Sequence, residues 1–171
     1  MTPTDSAAAT AEQSARGRYT AVYLNDHLAG STFAVELARR AAGEYDGTEL
    51  GAFLARLARE IAEDRQALRR VMAAAGARPD AAKCTLAWVA EKVGRLKLNG
   101  RLLSRSPLSP LLELEALEVG IYGKRLLWEG LREQHVPGST AVDLDELVDR
   151  ARRQLDEVEG HRMRVAAALR A

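Results

Sequence analysis

The sequence predicts an all-α protein, an antiparallel up-down bundle of about five helices. Apolar residues recur at alternating steps of three and four along most of the 171 residues, which is the spacing of a helix with one inward face. Glycines, prolines and capping residues divide this pattern into segments. No strand-like alternation competes with it. Because short turns join the amphipathic segments, consecutive helices should pack side by side in opposite directions.

The first two predicted helices form a hairpin. The first runs from Tyr19 to Gly43, and the second runs from Thr48, its predicted N-cap, to Gly76. Each carries one inward stripe of mostly apolar residues. The stripes contain Tyr23, Leu24, His27, Leu28, Gly30, Ala34, Val35, Leu37, Ala38 and Ala41 in the first helix, and Leu50, Leu54, Leu57, Ile61, Asp64, Leu68, Val71 and Ala75 in the second.

Three further helices follow along the chain. The third is predicted from about Asp80 to Leu103, where a proline-rich stretch interrupts the pattern. The fourth begins near Pro110, and because it is apolar on nearly every side we expect it to be the most buried. The fifth runs from about Asp143 to the end of the chain, with Leu144, Val148, Ala151, Leu155, Val158, Val165 and Leu169 facing inward.

The composition predicts a single domain in a cytoplasmic protein. Residues 1–18 have no sustained apolar pattern and are expected to be a flexible tail, so the domain covers residues 19–171. The 25 basic and 24 acidic side chains nearly balance, which favours neither nucleic acid nor a membrane as partner. Cys84 is the only cysteine, so a reducing compartment suits the chain. No apolar run reaches the length of a membrane span.

Titratable residues interrupt the inward stripes at two levels. His27 and Asp64 lie about equally far from the first turn, so we expect them to face each other. Glu115 and Arg162 lie about equally far from the fourth turn, near Gly138, and should also meet. The sequence therefore predicts two polar layers inside the bundle rather than one site.

Each polar residue has a functional and a structural interpretation. His27 beside Asp64 could be a general base, or a core histidine that has a hydrogen-bond partner. Glu115 and Glu118, on one face with Tyr122, could bind a metal ion or act as acids. Arg125 and Arg162 could instead neutralise them as structural ion pairs. The catalytic candidates are thus His27, Asp64, Glu115, Glu118 and Tyr122.

A second metal arrangement would add residues of the last helix. His161 follows Glu157 by four residues, so the two side chains could form one edge of a site with Glu115 and Glu118. A solvated helix pair is the alternative. We expect no metal and no other cofactor, with a di-metal site as the competing hypothesis.

The segments Tyr23-Leu-Asn-Asp-His-Leu-Ala-Gly and Ser109-Pro-Leu-Leu-Glu-Leu-Glu-Ala-Leu-Glu, with the layout of the helices, resemble the ferritin-like superfamily, in particular its uncharacterised members from GC-rich bacteria. The resemblance covers residues 19–171. Metal-binding members carry Glu-x-x-His on two helices. This chain has no Glu-x-x-His, since Leu24, Arg132 and Val158 precede the three histidines by three residues.

The resemblance therefore implies a ferritin-like fold with a degenerate metal site. We expect a non-catalytic interaction or stress-associated protein, with a metal-dependent or acid/base enzyme as the alternative. Trp88, Leu98 and Leu102 lie opposite the stripe of the third predicted helix. Dimerisation and packing within the chain both account for this patch, and a homo-oligomer built on it would be a dimer. The sequence names no small-molecule ligand.

Overall fold

Four long α-helices make up most of the protein. The computed structural model describes residues 3–80, 106–134 and 136–169, with side chains from residue 15 onward. The helices are α1 (Pro3–Glu44), α2 (Glu49–Ala74), α3 (Ser109–Gln134) and α4 (Leu144–Ala168), and a 3₁₀ turn covers Ser139–Ala141. These ranges contain no β-strand, so the described protein is all-α. No helix within them is long and apolar enough to cross a membrane.

The described helices number four, against about five in the prediction. The helix predicted over about Asp80 to Leu103 falls almost entirely on residues 81–105, which lie outside the described residues. The structure also differs from the prediction at the N-terminus, where α1 begins at Pro3 and includes the residues predicted to be a tail. Alanine has the highest helix propensity and proline suits the first helical position, so this segment can be helical without an apolar stripe of large residues.

Caps and turns fix the ends of the helices, and Thr48 was the predicted cap of the second. The Thr48 hydroxyl accepts a hydrogen bond from the Gly51 amide at 3.1 Å, which caps α2. Asp143 caps α4 in the same way, through the Glu146 amide at 3.0 Å. Gly138, between α3 and α4, has a φ of 87°, and a Cβ there would lie 2.7 Å from the Val71 carbonyl oxygen. Only glycine fits that turn without strain.

The core consists of two apolar clusters that share the same four helices. The first combines the C-terminal half of α1, the N-terminal halves of α2 and α3, and part of α4. The second combines residues nearer the opposite ends of α1, α2 and α3 with the start of α4. Most of the predicted stripe residues of α1 and α2 are buried here, whereas Tyr23 is 43% exposed.

Cluster membership also gives the direction of each helix. α1 and α4 run one way, and α2 and α3 run the other way. The order of the described helices along the chain is therefore up, down, down, up. α3 is less buried than predicted, because Val119 is 67% exposed and Leu126 is 45% exposed.

Candidate functional site

A group of polar side chains lies between the two apolar clusters. We call Asp64, Lys124, Arg150 and Gln154 the central polar layer. Asp64 comes from α2, Lys124 from α3, and Arg150 and Gln154 from α4. Asp64 is only 1% exposed and Gln154 only 2% exposed. Charged groups at this depth are costly unless they are paired, so their partners decide what the layer can do.

Lys124 joins three helices through its ammonium group. Its Nζ donates to Asp64 Oδ2 on α2 at 2.5 Å and to Gln154 Oε1 on α4 at 2.5 Å. The side-chain amide of Gln154 in turn donates to Glu60 Oε2 at 2.8 Å. The Gln154 side chain therefore links the buried Lys124 ammonium to Glu60 of α2.

Arg150 holds the other oxygen of the same carboxylate. Its NH1 lies 3.2 Å from Asp64 Oδ1 and 3.1 Å from Glu63, and its NH2 lies 2.8 Å from Glu146. The guanidinium can meet several carboxylates at once because its donors lie in a rigid plane. Asp64 therefore has a cation on each of its two oxygens, one from α3 and one from α4.

Burial changes the acid-base chemistry of Lys124. It lowers the pKa of the ammonium, and the neighbouring Asp64 carboxylate opposes that change without cancelling it. A lowered pKa would suit a general base or a nucleophile. However, two of the three N–H donors are used by Asp64 and Gln154. This geometry makes Lys124 a cross-link between helices.

Sequence reasoning identified Asp64 but overlooked Lys124, Arg150 and Gln154. A signal for two of them was present. Lys124 lies three residues after Ile121 and four before Trp128, and Gln154 lies three after Ala151 and four before Val158. Both therefore occupy inward stripe positions. Arg150 gave no such signal, because it reaches Asp64 from the flank of α4.

The carboxylate of Asp64 contacts Lys124 and Arg150 rather than the expected partner, His27. The His27 ring instead packs edge-on against Tyr23, with ring centroids 4.7 Å apart. Burial lowers the pKa of His27, and the nearby Asp26 only partly opposes this. A neutral imidazole attracts a buried carboxylate less than an ammonium and a guanidinium do, which explains the exchange of partners.

Arg162 pairs with Glu118 and not with Glu115. Arg162 Nε lies 2.8 Å from Glu118 Oε2, whereas Glu115 is exposed. The connection between α3 and α4 includes the buried Val136 and the 3₁₀ turn, so it is not symmetric about Gly138. The pair of residues 118 and 162 has its centre near residue 140 rather than 138, and a shift of the hairpin centre by about one and a half residues moves the opposite partner by three, to the next turn of α3.

The remaining candidates also have partners of their own. Tyr122 is 49% exposed, and the Arg125 guanidinium lies 4.7 Å above its ring. Arg125 Nε is 3.8 Å from Glu129.

Glu157 and His161, the predicted edge of a metal site, also have separate partners. Glu157 forms an ion pair with Arg56 of α2, while the His161 ring stacks on Phe53 with centroids 4.1 Å apart. Within the described parts of the chain, no three His, Cys, Asp or Glu side chains are grouped closely enough to hold a metal ion. His135 and the patch of Trp88, Leu98 and Leu102 lie outside the described residues.

Two cavities lie along the seam between α2 and α4, with Arg150 in the wall of both. One has a volume of about 310 Å³ and extends past Arg70 to Asp143. The other has a volume of about 230 Å³ and ends at Gln154 and Glu157. Their walls are mostly charged, and Arg150 and Gln154 of the central polar layer line them.

Comparisons with known proteins give no match. No family model, no curated protein and no solved structure matched the chain.

Proposed function

We propose that this chain is a cytoplasmic ferritin-like helix bundle that acts as an interaction or stress-associated protein, with no catalytic centre in its interior. Ferritin-like bundles have one long connection between their second and third core helices. The up, down, down, up order supports the same arrangement, because α2 ends and α3 begins at opposite ends of the protein.

One observation carries the non-catalytic part of the proposal. Metal-binding members of the superfamily project carboxylates from facing helices into the bundle interior. Among the described residues the buried carboxylate is Asp64; Lys124 donates to its Oδ2, and Arg150 NH1 lies 3.2 Å from its Oδ1. Two cations at these distances repel a metal ion. The carboxylate thus has a structural partner on each side.

The exposed residues of α3 support an interaction role. Val119, Tyr122 and Leu126 follow helical spacing along one face, and each is at least 45% exposed. A row of large apolar side chains open to solvent is typical of a protein that binds another protein.

A metal-binding titration tests the proposal. The purified protein is incubated with Fe²⁺, Mn²⁺ or Zn²⁺, desalted, and analysed for bound metal and for its melting temperature. We expect far less than one metal ion per chain and no shift in melting temperature. The matched control is Lys124→Met, which removes one of the two cations from Asp64.

Stoichiometric metal that raises the melting temperature of the wild-type protein would contradict the proposal, since a ligand stabilises the state that binds it. That result would favour the metal-dependent enzyme instead.

A further inference from the structure

Three arginines lie together on the outer face of the α1–α2 hairpin. We call Arg39, Arg65 and Arg69 the arginine cluster. Arg65 NH1 donates to Thr32 Oγ1 at 3.4 Å, which places the guanidinium of this α2 residue against α1. Arg39 and Arg69 are exposed. The cluster is separate from the central polar layer, because Asp64 contacts α3 and α4 instead.

The backbone directs the other two side chains of the cluster towards Arg65. Arg69 follows Arg65 by four residues, so the two are neighbours on one face of α2. Arg39 follows Thr32 by seven residues, about two turns, and therefore shares its face of α1. The two helices are antiparallel, and a helical side chain leans towards the N-terminus of its own helix. Arg39 and Arg69 thus lean towards Arg65 from opposite sides.

The positive charge of the arginine cluster is only partly balanced. Glu36 pairs with Arg39 at 3.5 Å, and both side chains are at least 60% exposed. Arg69 has no ion pair among the described residues. Burial lowers the pKa of Arg65, and the neighbouring Arg69 and Arg39 lower it further, against the opposing effect of Glu36. Three cations beside one carboxylate leave two positive charges without a counter-charge.

Arg65 also has hydrogen-bonding capacity that the described residues do not use. The side chain is half-buried, and its Nε is buried without an acceptor. Its bond to Thr32 is long, and the Thr32 hydroxyl itself donates to the Leu28 carbonyl at 3.0 Å. An anion beside the guanidinium would favour its charged form and reduce the repulsion among the three arginines.

We propose that the arginine cluster binds the phosphate group of a phosphate monoester. The planar guanidinium matches phosphate geometry through two parallel N–H···O bonds. A phosphate monoester carries a charge of about −1.5 to −2 at pH 7, which matches the two uncompensated positive charges, whereas a carboxylate would balance only one. Because the cluster faces solvent, the rest of the bound molecule can extend away from the protein. A soluble phosphorylated compound and a lipid headgroup both present this group.

Calorimetric titration of the full chain with glycerol phosphate at low salt tests the proposal. Arg65→Met and Arg69→Met should each raise the dissociation constant about tenfold, because each removes one charge-assisted contact with the phosphate. The matched control is Arg70→Met, which removes the same charge from α2. Arg70 is exposed, has no ion pair among the described residues and lines a cavity on the α4 side, so its variant should keep the wild-type affinity.

No binding by the wild-type chain, or an equal loss in all three variants, would overturn the proposal. Arg69 is exposed, so Arg69→Met still tests the site if Arg65→Met does not fold. Circular dichroism checks that each variant stays helical.

Co-sedimentation with phosphatidylcholine vesicles that contain phosphatidic acid separates the two sources of the phosphate group. Vesicle binding that Arg69→Met abolishes would assign the site to a lipid headgroup. Binding of glycerol phosphate without vesicle binding would assign it to a soluble compound. Vesicle binding that Arg69→Met leaves unchanged, with no binding of glycerol phosphate, would refute the arginine cluster as a phosphate site.

Discussion

A double-mutant cycle on Asp64 and Lys124 tests the energetic role of the central polar layer. Lys124→Met removes the ammonium and keeps most of the volume of the side chain. Asp64 would then be a carboxylate with 1% exposure and one remaining cation, Arg150 at 3.2 Å. Removing one partner of a buried pair costs about 3 to 5 kcal/mol of unfolding free energy. Because Arg150 remains, we expect about 3 kcal/mol, the lower end of that range.

The double variant separates the pair from its surroundings. Asp64→Leu with Lys124→Met replaces both charges by apolar groups, which is often neutral or stabilising for a buried pair. Gln154 loses its bond to Lys124 but keeps Glu60, and Arg150 keeps Glu63 and Glu146. We therefore expect the double variant to lose about 1 to 2 kcal/mol, mostly from the unpaired Gln154 oxygen.

Equilibrium denaturation in urea, followed by circular dichroism, measures these changes as shifts of the midpoint at constant slope. The control is Arg164→Met, which breaks an exposed ion pair with Glu49 at 3.4 Å and should cost about 0 to 1 kcal/mol. Losses that simply add in the double variant would mean that Asp64 and Lys124 do not interact, and the central polar layer would then have no structural role.

Three other predictions follow from single sites. Arg162→Met should lower the free energy of unfolding by less than about 1 kcal/mol, because its ion pair with Glu118 is only half-buried. A double-mutant cycle should show coupling between Arg162 and Glu118, and zero coupling would refute the pairing. Gly138→Ala should destabilise the turn, whereas Gly120→Ala, with open space in α3, should stabilise by about 0.5 to 1 kcal/mol; thermal melting of both variants ranks them. Burial lowers the pKa of His27 below its unfolded value of 6.5, so the unfolded chain binds more protons and stability should fall as pH drops below about 6.5. His27→Asn should reduce that slope, and an unchanged slope would show that His27 does not cause it.

Periodicity predicted the helices well because burial of one face depends only on local spacing. Thr48 was identified as a cap and Asp143 as the start of the last helix for the same reason, since each bonds an amide three residues away. The N-terminal part of α1 was missed because its alanines provide helix propensity without large apolar residues. Prediction from local pattern thus extends to the start of α2 and of α4 and to the inward faces of α1 and α2.

The pairing of side chains on different helices was harder to predict, because an error in the length of each turn shifts the register of the next helix. The stripe placed Asp64 inside the core, but its partner depended on the register of α2 against α3 and α4. A single asymmetric connection moved the partner of Arg162 by one turn, from Glu115 to Glu118. The register of one helix against the next decides which cation lies nearest to a buried carboxylate. The composition and residue spacing of a single helix do not determine that register.

We expect the central polar layer to favour one register of the helices that the apolar clusters alone do not specify. Leu, Ile and Val side chains can replace one another at similar cost, so an apolar interface tolerates a slip of one turn. If α3 slipped by one turn, Lys124 would lie beside Ile61 or Leu68, and Asp64 would lose its ammonium partner. Lys124 would then be buried without its carboxylate and Asp64 would keep only Arg150, which is more costly than a mismatch of apolar shapes. A single buried polar position fixes the register of coiled coils for the same reason.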